Sequence, residues 1–457
     1  HISTMPKSII LLSWLTSSVF AIDNGLGLKP PMGWRSWNLY GANVNQDLIQ
    51  GIMDGMVSKS RSVDGVPTSL CDLGYCDVGL DDNWQECGNY GADNFTYHDE
   101  DGSPVVNYDV FPDFKAMTDY AHSLGLTSGW YGNNCICDDH CGSGRIHSEK
   151  DEYTKCYEAD VSALFDYGFD GIKLDNCGRQ RDLQLWSDLI NATGKAMMIE
   201  NCHWGLTVPH REEDSDEIWC PWNFYRTSQD VRARYRSVIK NLETTVPFST
   251  LGLSFPGCWA YPDMLEVGCL HGPGGDNDPG LSPEETRSHF GGWCIVSSPL
   301  TLSHDVNNQT TMDAIWDVIA NPEAIAINQA YVGHSGGPFQ KSGLLIPITS
   351  SNAQDDEDEL GVEAFLSGAY QYFYKPLTLD SNGQASSMAV LLLNQDTNAQ
   401  NLMFEFSNLP NIAPSSNDQG YKVRDVWARE DIGYFQTEFT TTSEIAGHDA
   451  AFLVVSV

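Results

Sequence analysis

The chain is poor in basic residues, with 25 Lys and Arg against 62 Asp and Glu in 457 residues, and its net charge is −37. A surface of this sign repels phosphate backbones and anionic lipids. The composition therefore argues against a nucleic-acid-binding or membrane-surface protein. A neutral ligand such as a sugar would meet no such repulsion.

Long hydrophobic runs are lacking beyond the N-terminal region. Met5 is followed by one lysine, Lys7, an apolar run over 9–15, and a small residue, Ala21. The run is too short to cross a bilayer, and the pattern is typical of a cleaved signal peptide. We expect upstream residues and a signal peptide over 1–21, no membrane anchor, and a protein that is secreted or reaches a lytic compartment.

Cysteines and glycosylation motifs agree with export. Thirteen cysteines in an exported chain predict disulfides, and the odd count leaves at least one thiol unpaired within the chain. Asn94, Asn191 and Asn308 each begin an Asn-x-Thr acceptor motif.

Short β-rich segments alternate with helix-like stretches through the first two thirds of the chain. This alternation is the pattern of a (β/α)8 TIM barrel, an α/β fold that we assign to residues 22–335. Four of the eight candidate strands end at Gly33–Trp37, Val78–Asp82, Ser128–Tyr131 and Gly171–Asp175. The other four are Ala196–Asn201, Phe224–Arg226, the region around Gly257–Trp259, and Cys294–Ser297. The candidate helices are Tyr108–Leu124, Tyr153–Tyr167, Asp182–Thr193, Val231–Leu242 and Met312–Ile327.

Residues 336–457 have a different character, because helical periodicity stops near Gly336. Strand-like segments separated by turn residues predict a C-terminal antiparallel β-sandwich. An acidic run over 355–359 lacks the glycine and the spacing of a calcium loop and is interpreted as a solvated loop. The candidate strands are Tyr370–Tyr374, Ala389–Leu393, Met403–Phe406, Val423–Trp427 and Ala451–Val455.

Carboxylates and aromatic rings collect at the predicted C-terminal strand ends, where barrel enzymes place their working residues. Carboxylates can hydrogen-bond several hydroxyls, and aromatic faces pack on the C–H faces of sugar rings. Each aspartate alone could instead cap the following helix, but five of them with interleaved aromatics favour a site. These residues are Asp81, Asp82, Asp175, Asp230 and Asp263, with Trp37, Trp84, Tyr131 and Trp204 nearby.

Two of these aspartates suggest catalytic chemistry. Lys173 and Asp175 share one face of a strand, so the lysine charge should favour an ionised Asp175, as nucleophilic attack requires. A structural salt bridge is the alternative. Asp230 lies where a strand passes into a helix and could donate a proton, with helix capping as its alternative.

Several ordered motifs resemble those of the α-galactosidases of glycoside hydrolase family 27, which are melibiase-like enzymes, over nearly the whole mature chain. The motifs are Pro31–Asn38, Leu80–Trp84, Lys173–Cys177, Arg226–Asp230, Tyr261–Gly268, Pro299–Leu300, Ile327–Gln329 and, in the C-terminal region, Val423–Trp427.

The resemblance implies retaining hydrolysis of terminal α-galactosides, with no metal or organic cofactor. It makes Asp175 the nucleophile and Asp230 the acid/base, with Asp81 and Asp82 holding the sugar O4 and O6. In this interpretation Asp175 should raise the pKa of Asp230. Further positions that match the galactose pocket are Trp37, Tyr131, Lys173, Arg226 and Asp263.

The resemblance also implies disulfides. Cys177 is expected to pair with Cys141, with Cys135 and Cys137 as competing partners, and Cys202 is expected to pair with Cys220. A zinc site built from Cys135, Cys137, His140 and Cys141 is an alternative that export disfavours.

Two positions depart from the family pattern. His203 stands where relatives carry a glutamate that contacts the sugar 2-hydroxyl, so His203 is either a substrate contact or a supporting ring. Asn83 replaces a common cysteine, so one usual disulfide is expected to be missing. These departures keep two alternatives open: a related exo-glycosidase (β-L-arabinopyranosidase, α-N-acetylgalactosaminidase or isomalto-dextranase-like) and an inactive secreted carbohydrate-binding protein.

Overall fold

The computed structural model describes residues 22–88, 96–133, 135–137, 150–213, 216–270, 280–349, 365–416 and 418–457. The predicted signal peptide, Asn94, His140, Cys141 and the acidic run over 355–359 lie outside these ranges. Within them, no helix combines the length and the apolar character needed to cross a membrane.

Eight parallel strands form the first domain, and neighbouring strands follow the order 7-6-5-4-3-2-1-8. The sheet curls until the Leu265 N–H, just after the seventh strand, donates to the Thr301 carbonyl of the eighth at 2.8 Å. The predicted (β/α)8 barrel is confirmed. Its strands are β1 (Met32–Arg35), β2 (Asp77–Gly79), β3 (Thr127–Gly132), β4 (Gly171–Asp175), β5 (Met198–Cys202), β6 (Phe224–Arg226), β7 (Trp259–Tyr261) and β8 (Leu300–Leu302).

Most of the longer helices begin at a side chain that caps the free amides of the first turn. Asn45, Asp113 and Asp182 act in this way, and Ser282 forms a reciprocal capping box with Glu285. The helices are α1 (Trp37–Tyr40), α2 (Gln46–Val57), α3 (Phe114–Ser123), α4 (Lys150–Asp166), α5 (Leu183–Ala192), α6 (Tyr235–Glu243), α7 (Val246–Thr250), α8 (Pro283–Ile295), α9 (Gln309–Ile319) and α10 (Pro322–Gln329).

The connection between β5 and β6 departs from strand-helix alternation. Its described residues form a short hairpin, His210–Arg211 with Ile218–Trp219, where the barrel pattern predicts a helix. A second hairpin-like pairing, Arg61–Val63 with Val66–Thr68, lies in the connection between α2 and β2.

The eighth predicted strand was misplaced. Cys294 and Ile295 end α8, and the strand of the barrel follows at Leu300–Leu302. Ten of the thirteen residues of α8 are buried, because the helix packs between the barrel and the C-terminal sheet. A helix buried on all sides loses its apolar-polar period, so its apolar end resembles a strand.

The predicted helix Met312–Ile327 is in fact two helices, α9 and α10, which break at Asn321 and Pro322.

A strap formed by residues 22–31 runs along the N-terminal end of the barrel. The Ile22 N–H donates to the Cys220 carbonyl at 3.0 Å, and the Asn24 side chain donates to the Met197 carbonyl at 2.7 Å. The Gly27 carbonyl accepts from the Trp259 indole at 2.6 Å. The strap therefore contacts the segments that lead into β5, β6 and β7, on the side opposite the C-terminal strand ends.

The second domain is an antiparallel sheet with order 9-10-11-14-12-13, which packs on a small two-stranded sheet through Phe404 and Phe439. The predicted antiparallel β-sandwich is confirmed. The small sheet pairs Met403–Glu405 with Glu438–Thr440, and Leu345–Pro347 pairs with Leu366–Gly368. The main strands are β9 (Gly337–Lys341), β10 (Tyr370–Leu379), β11 (Ala385–Asn394), β12 (Tyr421–Asp425), β13 (Glu430–Phe435) and β14 (Ala450–Ser456).

The two domains share a packed interface centred on β11. Alternate residues of this strand face opposite sides, so Leu391 and Leu393 join the barrel core while Val390 and Leu392 join the sandwich core. The fully buried Lys375 donates to two carbonyls in the last turn of α10, at 2.5 and 2.9 Å. Burial lowers the pKa of Lys375 to about 7.

Candidate active site

A cavity of about 380 Å³, counting the space open to solvent, lies at the C-terminal ends of the barrel strands. Eight of the ten predicted catalytic and substrate-contact residues line it, and the two exceptions are His203 and Asp263. Trp204, Cys135 and Met264 also line it. The eight are Trp37, Asp81, Asp82, Tyr131, Lys173, Asp175, Arg226 and Asp230.

Asp175 ends β4 and is 6% exposed. The Tyr131 hydroxyl donates to its Oδ2 at 2.9 Å, and the Asn176 N–H donates to its Oδ1 at 2.7 Å. Burial raises the pKa of Asp175, and the charge of Lys173 opposes the shift without cancelling it. The hydrogen bonds fix the carboxylate in orientation, as an attacking group requires.

Lys173 shares the inward face of β4 with Asp175, as the alternation predicted. Its Nζ lies 2.6 Å from Asp81 Oδ2, with both side chains almost fully buried. The lysine therefore forms its ion pair with the aspartate that follows β2. No hydrogen bond joins the side chains of Lys173 and Asp175, so the lysine affects the pKa of Asp175 through its charge alone.

Asp230 follows β6, and its side chain is 60% exposed. Arg226 Nη2 lies 3.0 Å from Asp230 Oδ1 and 3.0 Å from Asp263 Oδ2, so one guanidinium binds both carboxylates. Partial desolvation of the half-exposed Asp230 carboxyl acts to raise its pKa, but the charge and hydrogen bond of Arg226 hold the pKa below the usual value. The prediction that Asp175 raises this pKa is therefore wrong for this arrangement, because Arg226 dominates the field at Asp230.

Asp82 is held by backbone amides at the rim of β2. The Asn83 N–H donates to its Oδ1 at 2.8 Å, and the amides of Cys135 and Ile136 donate to its Oδ2 at 3.1 and 3.2 Å. Burial raises the pKa of Asp82 to about 7. Asp81 and Asp82 therefore present neighbouring acceptor groups to one end of the cavity.

Asp263 acts behind the cavity wall. Its backbone has φ of 91°, a region that non-glycine residues rarely adopt. The Trp293 indole donates to its carbonyl at 2.7 Å, and the Val231 N–H donates to its Oδ2 at 2.9 Å. Burial raises the pKa of Asp263 to about 6. Strain of this kind persists only where the surroundings enforce it, and here they place the carboxylate against Arg226.

His203 lies outside the cavity lining and is 2% exposed. Its Nδ1 lies 3.0 Å from the Thr207 hydroxyl, within the loop after β5. Burial lowers the pKa of His203 to about 4, which keeps the ring neutral at ordinary pH. The geometry favours the second interpretation of the sequence, in which His203 supports the loop that carries Trp204.

The disulfides correct both predicted pairs. Cys177 bonds Cys135, one of its two competing partners, and Cys220 bonds Cys258. Cys202 is a buried free thiol. It lies at the C-terminal end of β5, whereas Cys220 precedes β6 at the opposite end of the barrel, so the two cannot meet. Further bonds join Cys87 to Cys137 and Cys71 to Cys76.

The two described cysteines of the alternative zinc site, Cys135 and Cys137, are engaged in disulfides. Cys135 and Cys177 lie within metal-ligand range of Asp175, but their sulfurs are bonded to each other. Cys137 is likewise bonded to Cys87. A zinc ligand must be a thiolate, so the described members of the alternative zinc site do not fit a metal.

Sequence reasoning missed Cys135 and Met264 as lining residues. Met264 directly follows Asp263 in the Tyr-Pro-Asp-Met motif, which could have indicated it. Cys135 enters the lining through its bond to Cys177, and no pattern in the sequence distinguishes it from Cys137.

Four carboxylates, those of Asp81, Asp82, Asp175 and Asp230, line one cavity at the C-terminal strand ends of the barrel, and an arrangement of this kind is compatible with a glycoside hydrolase. Comparison with known families is more specific. The profile described as "Alpha galactosidase A" matches residues 29–330, and the profile of the "Alpha galactosidase C-terminal beta sandwich domain" matches residues 367–455. The chain belongs to the α-galactosidase A (melibiase) family.

Individual relatives agree with this assignment. The chain is 29% identical to a probable α-galactosidase of Dictyostelium discoideum over 98% of this chain and 97% of that protein. It is 31% identical to an α-galactosidase of Cyamopsis tetragonoloba, covering 71% of this chain and 70% of that protein. α-Galactosidase I from Mortierella vinacea shares the fold, with a TM-score of 0.67 and 24% identity over 95% of this chain and 98% of that chain.

Proposed function

We propose that this protein is a retaining exo-α-galactosidase that removes terminal α-linked galactose from oligosaccharides, galactomannans or glycoconjugates. The observation that carries the proposal is the joint placement of Asp175 and Asp230 in one cavity with the Asp81–Lys173 ion pair. The cavity is small, at about 380 Å³ including the space open to solvent, which suits a single terminal sugar ring.

In this mechanism Asp175 attacks the anomeric carbon while Asp230 donates a proton to the leaving oxygen. The glycosyl–Asp175 ester then reacts with a water that Asp230 deprotonates, and the product keeps the α configuration. Asp81 and Asp82 accept hydrogen bonds from sugar hydroxyls at the far end of the cavity, and Trp37 offers an aromatic face to the ring.

The relatives at 29% and 31% identity are a probable α-galactosidase and an α-galactosidase, which favours galactose over other sugars. An α-galactosidase of Saccharomyces cerevisiae with raffinose shares the fold at a TM-score of 0.71 and 19% identity, over 94% of this chain and 98% of that chain. We further propose that the protein acts outside the cell or in a lytic compartment, which the four described disulfides support.

A panel of chromogenic glycosides tests the sugar, with the product anomer followed by NMR. We expect cleavage of the α-galactoside and first release of α-galactose. Cleavage of a β-L-arabinopyranoside or an α-N-acetylgalactosaminide without the α-galactoside would overturn the substrate assignment, and first release of the β anomer would overturn retention.

Asp175→Asn tests the nucleophile. We expect kcat to fall by more than about 10³-fold, because an amide cannot form the glycosyl ester. The thermal midpoint should hold or rise, since burial already disfavours the charged carboxylate. The matched control is Asp188→Asn, which removes an aspartate from the outer face of α5 and should leave turnover intact. Full activity of Asp175→Asn would reject the assignment.

A further inference from the structure

A second cavity, which we call the basal cavity, lies at the end of the barrel opposite the candidate active site. The first residues of β1 to β6 all line it, and Leu26 and Pro31 of the strap add to the lining. It encloses about 840 Å³, counting the space open to solvent. Thr127 and Ala196, which are exposed, mark where it meets the solution. A cavity of this size can hold a small organic molecule.

Glycines on β3 and β4 leave this space open. Gly129 and Gly171 both line the basal cavity and are paired in register. A methyl group at Gly129 would lie 3.6 Å from Asp77 Oδ2 and 3.6 Å from Arg35 Nη2. The lack of a side chain at Gly129 therefore keeps room directly beside two charged groups.

Three carboxylates and one guanidinium line the basal cavity. Arg35 Nη2 lies 3.0 Å from Glu200 Oε2, and Arg35 Nη1 donates to the Leu80 carbonyl at 3.2 Å. His122 Nε2, from outside the lining, lies 2.8 Å from Asp170 Oδ2. The charge of the lining itself is therefore negative. Its charged residues are Arg35, Asp77, Asp170 and Glu200.

Two carboxylate oxygens of this lining have unused capacity to accept hydrogen bonds. Glu200 is 2% exposed, and no group in the described part of the chain donates to its Oε1. Asp77 Oδ1 accepts from the Thr127 hydroxyl at 2.8 Å, whereas Oδ2 receives no hydrogen bond from any described residue. Burial raises the pKa of Asp77 to about 6, although the charge of Arg35 acts to lower it. Buried charges are normally paired and hydrogen-bonded, so these oxygens favour a cationic donor in the cavity.

The rest of the lining favours an organic cation over a metal ion. Leu26, Ile172 and Phe224 contribute hydrocarbon surface that suits an apolar body. A hard cation such as Ca²⁺ needs several oxygen ligands around one point. Within the described ranges, no set of three ligand groups close enough to share one ion includes Asp77 or Glu200.

We propose that the basal cavity binds a small organic cation, with an ammonium or guanidinium group against Asp77 and Glu200 and an apolar body against the strap and β6. The donors of the cation complete the hydrogen bonding of both carboxylates. The basal cavity shares no lining residue with the active-site cavity. The inference therefore goes beyond the proposed galactosidase activity and does not depend on it.

Calorimetric titration of the full chain with benzylammonium tests the inference, and benzyl alcohol is its uncharged partner of similar shape. At pH 8 and about 0.15 M salt, Asp77 is ionised and distant charges are largely screened. We expect benzylammonium to bind on the order of tenfold more tightly than benzyl alcohol. Asp77→Asn preserves the side-chain size and an acceptor for Thr127, and it should remove most of this difference.

Two control variants separate the basal cavity from the general attraction of cations to a protein of net charge −37. Asp188→Asn removes the same charge from the outer face of α5, and Asp175→Asn removes it from the active-site cavity. Neither should change the affinity for benzylammonium. A loss in either control as large as that in Asp77→Asn would overturn the inference, and so would equal affinities of the wild type for benzylammonium and benzyl alcohol.

Gly129→Ala tests the location without changing any charge. Its methyl group would have no atom of the surroundings nearer than 3.4 Å, so we expect a folded variant with a thermal midpoint close to that of the wild type. The methyl group occupies space beside Asp77 and should weaken the binding of benzylammonium. Unchanged binding in the folded variant would overturn the assignment to this cavity. Turnover of galactosides is measured separately and bears on the proposed function alone.

Discussion

At the scale of single residues, burial and Arg226 shift the two candidate catalytic carboxylates in opposite directions. The pKa of Asp175 is raised and that of Asp230 is lowered, so the form with Asp175 ionised and Asp230 protonated is the minor one before substrate enters. A sugar that separates Asp230 from Arg226 would change this balance. The pH dependence of catalysis is therefore informative.

A substrate that needs no proton donor should isolate Asp175. With 2,4-dinitrophenyl α-galactoside, kcat/KM is expected to rise with pH through the raised pKa of Asp175 and then stay high, because Asp230 protonation no longer matters. With an alkyl galactoside the profile should be bell-shaped. Initial rates from pH 3 to 9 provide the comparison.

Asp230→Asn supplies the control for this pH experiment. It should slow the alkyl galactoside by about 10²- to 10⁴-fold and affect bond cleavage in the dinitrophenyl substrate far less. A bell-shaped profile for both substrates in the wild type would contradict the assigned roles.

Most of the residues that line the cavity were predictable, whereas their electrostatics were not. Aspartates at the ends of predicted strands can be identified in a sequence, and a barrel brings those strand ends together at one face. The pairing of Arg226 with Asp230 and Asp263 depends on the φ of 91° at Asp263 and on the Trp293 hydrogen bond behind it. No local pattern reports such a contact. For the same reason, the substrate-contact role of His203 could not be separated from its supporting role by sequence.

At the scale of elements, the strands were easier to locate than the cysteine pairs. Alternation and apolar runs located seven barrel strands, but α8 concealed the eighth because it is buried on all sides. Disulfide pairs depend on which loops meet in space. Cys135 reaches Cys177 because the segment after β3 folds over the end of β4, and Cys137, two residues away, bonds Cys87 instead.

The Cys135–Cys177 bond should matter for both stability and catalysis. It closes a 42-residue separation, and its loss is expected to cost about 4 kcal/mol of unfolding free energy. The same segment supplies the amides that bind Asp82, so Cys135→Ser/Cys177→Ser should also raise KM. Calorimetry and steady-state kinetics measure the two effects.

The Cys71–Cys76 bond is the matched control for this experiment. It spans five residues near the start of β2, where the expected cost is about 2 kcal/mol, with KM unchanged. Equal effects of the two double variants on KM would show that the bond beside the site does not position it.

At the scale of the whole molecule, the two domains are joined by buried contacts and by ion pairs. Arg287 binds Asp449 at 2.6 Å, and Arg424 binds Glu323 at 2.7 Å, each across the interface. The change in sequence character near Gly336 predicted a second domain. It did not predict that β11 would be buried on both faces, and the boundary between residues 335 and 336 stays a prediction.

Lys375 should make the stability of this interface depend on pH. Its pKa is near 10.4 in the unfolded chain and about 7 when folded. Between these two pKa values the folded protein binds fewer protons than the unfolded chain, so the free energy of unfolding rises with pH. The stability that comes from a neutral Lys375 is fully present above about 10.4 and is lost once the pH has fallen through about 7. Lys375→Met removes the titrating group. The thermal midpoint of the variant should therefore exceed that of the wild type by a few degrees more at pH 6 than at pH 9.

Thermal midpoints across this pH range measure the effect, with Lys422→Met on β12 as the control, because Lys422 is half-exposed and paired with Asp431. Parallel curves for the wild type and Lys375→Met would contradict it.

The strap over residues 22–31 bears on how the protein should be attached to a surface. The Ile22 N–H donates to the Cys220 carbonyl at the N-terminal end of the barrel. A bulky fusion placed immediately before Ile22 would therefore crowd the segment that leads into β6. Val457, in contrast, follows β14, which lies between β11 and β12 in the sheet, and the residue is 42% exposed. An immobilisation handle attached after Val457 would therefore leave the contacts of the strap undisturbed.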